Sequence, residues 1–191
     1  MISLTITDYD IEDLEDTAIS IAESLNIELS HKYKDFFETL AKTYNEYIIF
    51  NQNSIRENKD FHGNRDFYNL IKTAMRELIQ RRDELDKNEN RILTEVGLLC
   101  LNRNFGGLED SSTKIKEIFK NEYKHKYDEE AEGDFSVLDA IKKNIIDPNS
   151  RYLMLISEGN DGSDIIKYLL DSLGKKYIEL VGSKYKKDIF R

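Results

Sequence analysis

Apolar residues recur at helical spacing along most of this chain. Over residues 8–25, Ile11, Leu14, Ala18, Ile21, Ala22 and Leu25 fall on one side of a helix. Asp8 and Asp10 place negative charge at its start, where the helix dipole favours it. Ser30 is a candidate cap for a second helix, whose stripe is Phe36, Phe37, Leu40, Ala41, Tyr44 and Ile48. Residues 51–60 lack periodicity and are rich in Asn, which predicts a loop. Gly63 and Asn64 then open the clearest helix, with Phe67, Leu70, Ile71, Ala74, Met75 and Leu78 as an unbroken stripe. Residues 80–90 are almost all charged or polar and predict a solvated helix end plus a turn. Ile92, Val96 and Leu99 resume the stripe until Gly106-Gly107 stops it. Asp110-Ser111-Ser112 offers a cap for a helix bearing Ile115, Ile118 and Phe119. An acidic stretch, residues 128–134, leads to a short helix with Leu138, Ile141 and Ile145.

The pattern changes after Pro148, the one proline in the chain. Tyr152-Leu153-Met154-Leu155-Ile156 is a continuous apolar run of strand length, as a buried parallel strand shows. Residues 158–164 read as a glycine-containing turn. Ile165, Ile166, Leu169, Leu170 and Leu173 form a helical stripe ended by Gly174, and residues 177–181 read as a second strand. The expected fold is therefore mostly α. A helical bundle over residues 1–149 is followed by an incomplete α/β segment, β-α-β with a right-handed crossover, over residues 150–191. One β-α-β unit cannot cover both faces of its sheet, so further strands are expected from a larger parent chain.

Composition narrows the function classes. Hydrophobic residues make up 39% and charged residues 34%, enough to bury a core beneath a strongly charged surface. A net charge of -9 argues against non-specific nucleic-acid binding and against an anionic membrane surface, since both need surplus Lys and Arg. One cysteine excludes an internal disulfide and fits a reducing cytoplasmic setting. No apolar run is long enough to span a membrane, and residues 1–16 are acidic with no basic region of the kind a signal peptide carries.

The familiar catalytic patterns are missing. A strand-loop-helix such as residues 152–173 is where a phosphate-cradling P-loop would sit. Glu158-Gly159-Asn160-Asp161-Gly162-Ser163-Asp164 has no Lys, and its acids repel phosphate. His31, His62 and His125 have no partner at metal-ligand spacing and read as surface or capping residues. Cys100 lies among Leu98, Leu99 and Leu101, which predicts a buried, inert thiol. No catalytic residue and no metal ligand is therefore named.

One constellation stands out: Asp60-Phe61-His62-Gly63-Asn64-Arg65-Asp66-Phe67-Tyr68. Arg65 sits in a first helical turn, where the dipole repels a cation. Either a nearby acid compensates, or a bound anion does; an arginine beside a helix N-terminus suits phosphate.

Gly63-Asn64-Arg65 resembles the sensor-2 motif of AAA+ ATPases, whose arginine reaches from a helical lid to the nucleotide. Residues 60–72 are similar to the lid segment of mysterin-like giant ring-finger AAA+ ubiquitin ligases. Arg103-Asn104-Phe105-Gly106-Gly107 and Arg151-Tyr152-Leu153-Met154-Leu155-Ile156 resemble, in order, a motif after that lid and the first strand of the next module. Asn64 departs from that family, where an apolar residue is expected. The resemblance implies a parent that hydrolyses ATP with Mg and transfers ubiquitin from an E2 through zinc-bearing regions absent here. It implies Arg65 as the nucleotide-binding, sensor-2-like residue, Asp66 as the group that orients it and Gly63 as the turn. It also implies neighbouring AAA+ modules of the same chain as partners, while Arg103 acquires no ligand from it. The alternative is a non-enzymatic helical interaction module, to which a charged, Tyr-rich surface is suited.

Overall fold

The computed structural model describes residues 10–53, 62–106, 109–133, 136–146 and 161–178. They are mostly helical, with no strand among them. The chain divides into two compact units, residues 1–135 and 136–191. The domain boundary expected at 149/150 falls outside the described residues, as does the proposed first strand, residues 152–156.

In the first unit, α1 (Ile11–Leu25) begins at Asp10, whose carboxylate accepts the Asp13 N–H at 2.9 Å. That is the ordinary N-cap bond, and it satisfies one of the donors a helix start leaves open. Asn26 ends α1 and at the same time caps α2 (Ile27–Lys32) by accepting the Leu29 N–H at 2.9 Å. Ser30 therefore does not cap a helix. It lies inside α2, fully buried, and α3 (Lys34–Asn53) starts four residues later. The predicted loop at 51–60 begins late, because α3 continues through Asn53; residues 54–61 lie outside the description.

α4 (Asn64–Gln80) buries the expected stripe completely: Phe67, Leu70, Ile71, Ala74, Met75 and Leu78 are all at 0% exposure. α5 (Arg82–Leu85) is one turn that tucks Leu85 into the core from within an otherwise polar stretch. α6 (Glu89–Phe105) and α7 (Glu109–Glu122) follow, and a 3-10 turn (Glu129–Ala131) closes the unit. Asp110-Ser111-Ser112 is not the cap of α7, which already starts at Glu109. Ser111 is buried there, and the Ser112 hydroxyl donates to the Asn102 side-chain oxygen at 3.1 Å.

The core is one continuous cluster contributed by α1 to α7. α1 lies on α3 and α4, α4 on α6, and α7 on α3 and α6. α6 and α7 approach closely at Gly97, where a Cβ would come within 2.8 Å of the Phe119 ring carbon Cε1. Burying this cluster is what holds the seven helices together, since most of a helix's stability in a protein comes from packing its apolar face.

The second unit contains α8 (Val137–Ile146), which buries Ile141, and α9 (Asp161–Ser172), which buries Leu169. Residues 161–164, expected in a turn, form the first turn of α9. α9 ends in a left-handed turn at Gly174 (φ 61°), where the Lys175 N–H reaches the Leu170 carbonyl at 2.9 Å. Only glycine enters that conformation without strain, so the stop read from sequence has its physical cause here. Tyr177 and Ile178, assigned to a second strand, are exposed and extend no ladder; residues 179–181 lie outside the description.

Candidate anion site at the start of α4

Gly63 precedes α4 in extended backbone (φ -123°, ψ -176°), a conformation open to any residue. What glycine removes is a side-chain acceptor for the first turn. Asp66 serves the residue before the helix instead. Its Oδ2 accepts the Gly63 N–H at 2.9 Å, while its own N–H donates to the Gly63 carbonyl at 2.9 Å. This is the reach-back half of a capping box. Asp66 is thus held toward Gly63 and forms no ion pair with Arg65.

Arg65 is exposed and makes no hydrogen bond or ion pair with a described residue. Among the described residues no nearby carboxylate compensates this cation at the positive end of the dipole; Asp60 lies outside the description. Gly63 contributes no side-chain acceptor to the N–H groups of Asn64 and Arg65. A guanidinium and the opening N–H groups of a helix stand at one exposed position, and that is an arrangement to which an anion is attracted.

The floor beneath this position is aromatic. His62, expected at the surface, has a side chain only 13% exposed. Its ring packs edge-on against Phe105 at 4.9 Å and tilts over Tyr47 at 5.5 Å. Nδ1 lies 3.9 Å from the Asp66 carboxylate. Tyr44 stacks on Phe67 at 4.9 Å, and burial, together with the facing Asp66 and Tyr68, pushes its phenol up to about 12. α3, α4 and the end of α6 therefore meet here, with Phe105 as the shared surface. Arg103, two residues before Phe105, is half-buried in the last turn of α6, where the negative end of the dipole favours a cation.

His31 and His125 lie at the surface; His31 pairs with Glu23 at 2.9 Å. Cys100 is buried, as its apolar neighbours in sequence indicated, and it forms no disulfide. Among the described residues there is no group of three or more His, Cys, Asp or Glu placed to hold a metal ion.

One acid pair was not visible in the sequence. Glu46 on α3 meets Glu122 on α7, and burial followed by the facing Glu122 holds the Glu46 carboxyl above its ordinary value. The two residues are far apart along the chain, so no local spacing could have revealed them.

Among the described residues, no helix is long and apolar enough to cross a membrane. No protein-family model and no solved structure matches the chain.

Proposed function

We propose that the first unit is the lid of one AAA+ module in a mysterin-like E3 ubiquitin ligase, with Arg65 as its sensor-2 arginine. In that reading residues 150–191, which contain α9, open the next module, and the parent couples ATP hydrolysis to ubiquitin transfer. The observation that supports it best is the exposed guanidinium of Arg65, without an ion pair among the described residues, at the first turn of a helix in a unit whose described residues are mostly helical. A phosphate group fits that position, because the cation and the helix dipole both favour negative charge. Mg would be held by Walker residues of the parent, and Zn by its ligase regions. This chain would contribute one contact to the nucleotide and no complete active site.

The test is ATP turnover by the parent. Arg65→Ala is expected to lower it by roughly a hundred- to a thousandfold, the scale on which removing one charge-stabilising donor acts. Arg65→Lys should recover part of the loss. Unchanged turnover in Arg65→Ala would refute the assignment.

A second reading, the non-enzymatic interaction module, draws on the second unit. There Leu138, Ile146, Ile165 and Tyr168 are between 41% and 74% exposed. The same assay separates the two, because an interaction module leaves turnover untouched.

A further inference from the structure

Arg65, Lys72 and Arg76 stand at offsets of zero, seven and eleven residues along α4. At 3.6 residues per turn they fall within about 40° of one another, opposite the buried Phe67, Leu70 and Ala74. None of the three forms an ion pair among the described residues, whereas cations elsewhere in the unit do: Lys42 holds Glu15 at 3.1 Å and Arg82 holds Glu28 at 2.8 Å. In a chain of net charge -9, this is a row of uncompensated positive charge running the length of a helix face.

α1 carries the matching negative row. Glu12, Asp16 and Glu23 also share an arc of about 40°, on the side away from the buried Leu14, Ala18 and Ala22. Glu12 and Asp16 form no ion pair among the described residues, and the one described partner of Glu23 is the exposed His31 at 2.9 Å. Read in the opposite chain direction, the acids stand at zero, seven and eleven. Laid antiparallel, the two helices put Arg65 against Glu23, Lys72 against Asp16 and Arg76 against Glu12. Within one copy both rows face away from the core and leave each other unneutralised, although α1 packs on α4.

We infer that these faces are a self-association surface, α4 of one copy lying antiparallel along α1 of a second copy. The occupant is a second copy because this chain itself carries the complementary row at matching spacing. A nucleic acid would also seek the α4 cations, but the chain's net negative charge opposes it. Exposed ion pairs are individually weak, so the association is weak and salt-sensitive.

Sedimentation velocity of the 191-residue chain tests this, at about 20 mM and about 500 mM NaCl, salt levels on either side of effective screening. Concentration-dependent association is expected at low salt and its loss at high salt. Lys72→Glu with Arg76→Glu should abolish it, and so should Glu12→Lys with Asp16→Lys. Mixing those two variants should restore it as a heteromeric species, a gain that a misfolded variant cannot produce. Lys116→Glu with Lys124→Glu makes the same change in net charge away from the surface and should associate like the parent. Arg65 is left intact in every variant, so no change in association comes from its loss. A monomer at all concentrations, failure of the mixture to associate, or loss of association in the Lys116/Lys124 control would overturn the inference. So would binding of a single-stranded oligonucleotide at low salt with no self-association.

Discussion

Gly97→Ala should destabilise the first unit, although alanine is the better helix former. Gly97 lies mid-way along α6 and is buried. An added Cβ would stand 2.8 Å from Cε1 and 3.1 Å from Cε2 of Phe119, and nearer still to Cζ. Optimal carbon contacts lie at about 3.5–4.0 Å, so the ring would have to retreat by roughly 1 Å. Phe119 is completely buried, stacked on Tyr123 at 5.4 Å and edge-on to Tyr127 at 6.0 Å, which leaves it nowhere to go. Overpacking of this kind costs about 1–3 kcal/mol, and an immobile ring places it near the upper limit. The helix propensity of Ala over Gly returns about 1 kcal/mol. The net expectation is a loss of about 2 kcal/mol, a melting-temperature drop of roughly 4–8 °C for a chain of this size. Urea unfolding followed by circular dichroism measures it. Phe119→Leu removes the opposing ring, so the double variant should lose less than the sum of the two single losses. A Gly97→Ala protein as stable as the parent, or a strictly additive double variant, would refute the close-approach argument.

Other consequences can be checked in the same way. Asp66→Ala removes the reach-back bond to Gly63 and should destabilise α4 by about 1 kcal/mol, read as a shift in urea midpoint. Burial alone would raise the Glu95 carboxyl, but hydrogen bonds from Arg81 (2.6 Å) and Arg91 (3.0 Å) outweigh it and hold the group below its ordinary 4.5. A depressed acid stabilises the fold above its unfolded value and loses that contribution as pH falls through its folded value. Glu95→Gln should therefore be less stable than the parent at pH 7, with the gap closing below about pH 4.5 in pH-resolved unfolding. Tyr44 has the opposite sign. Its phenol, raised from 10.0 to about 12, binds its proton more tightly in the folded chain, so its contribution is complete below pH 10 and is lost on rising toward pH 12. Tyr44→Phe should soften the alkaline unfolding transition over that window; an unchanged transition would show that Tyr44 is not its source.

Several elements were legible because their cause is local. The α4 stripe repeats at helical period, and a period needs no knowledge of the rest of the chain to be seen. The stop at Gly174 follows from a backbone conformation that glycine alone adopts freely. Arg65 could be singled out because its position in a first turn conflicts with the helix dipole, and that too is a statement about a few neighbouring residues. The misplacements have equally definite reasons. Ser30 looked like a cap by residue type, but Asn26 holds that position, and burial draws Ser30 inward with α2. His62 looked like a surface residue because a lone polar side chain carries no sign of what folds over it.

The first unit's helices, their polarity and its helical class were thus written into the order of residues, because propensity, capping and periodicity act over a few positions. Tertiary structure alone decided that Phe105 and Tyr47 enclose His62, that Arg81 and Arg91 converge on Glu95, and that Gly97 admits the Phe119 ring. Most of those contacts join residues distant along the chain. Their energies depend on packing and on the field of neighbouring groups, and neither exists until the helices have assembled.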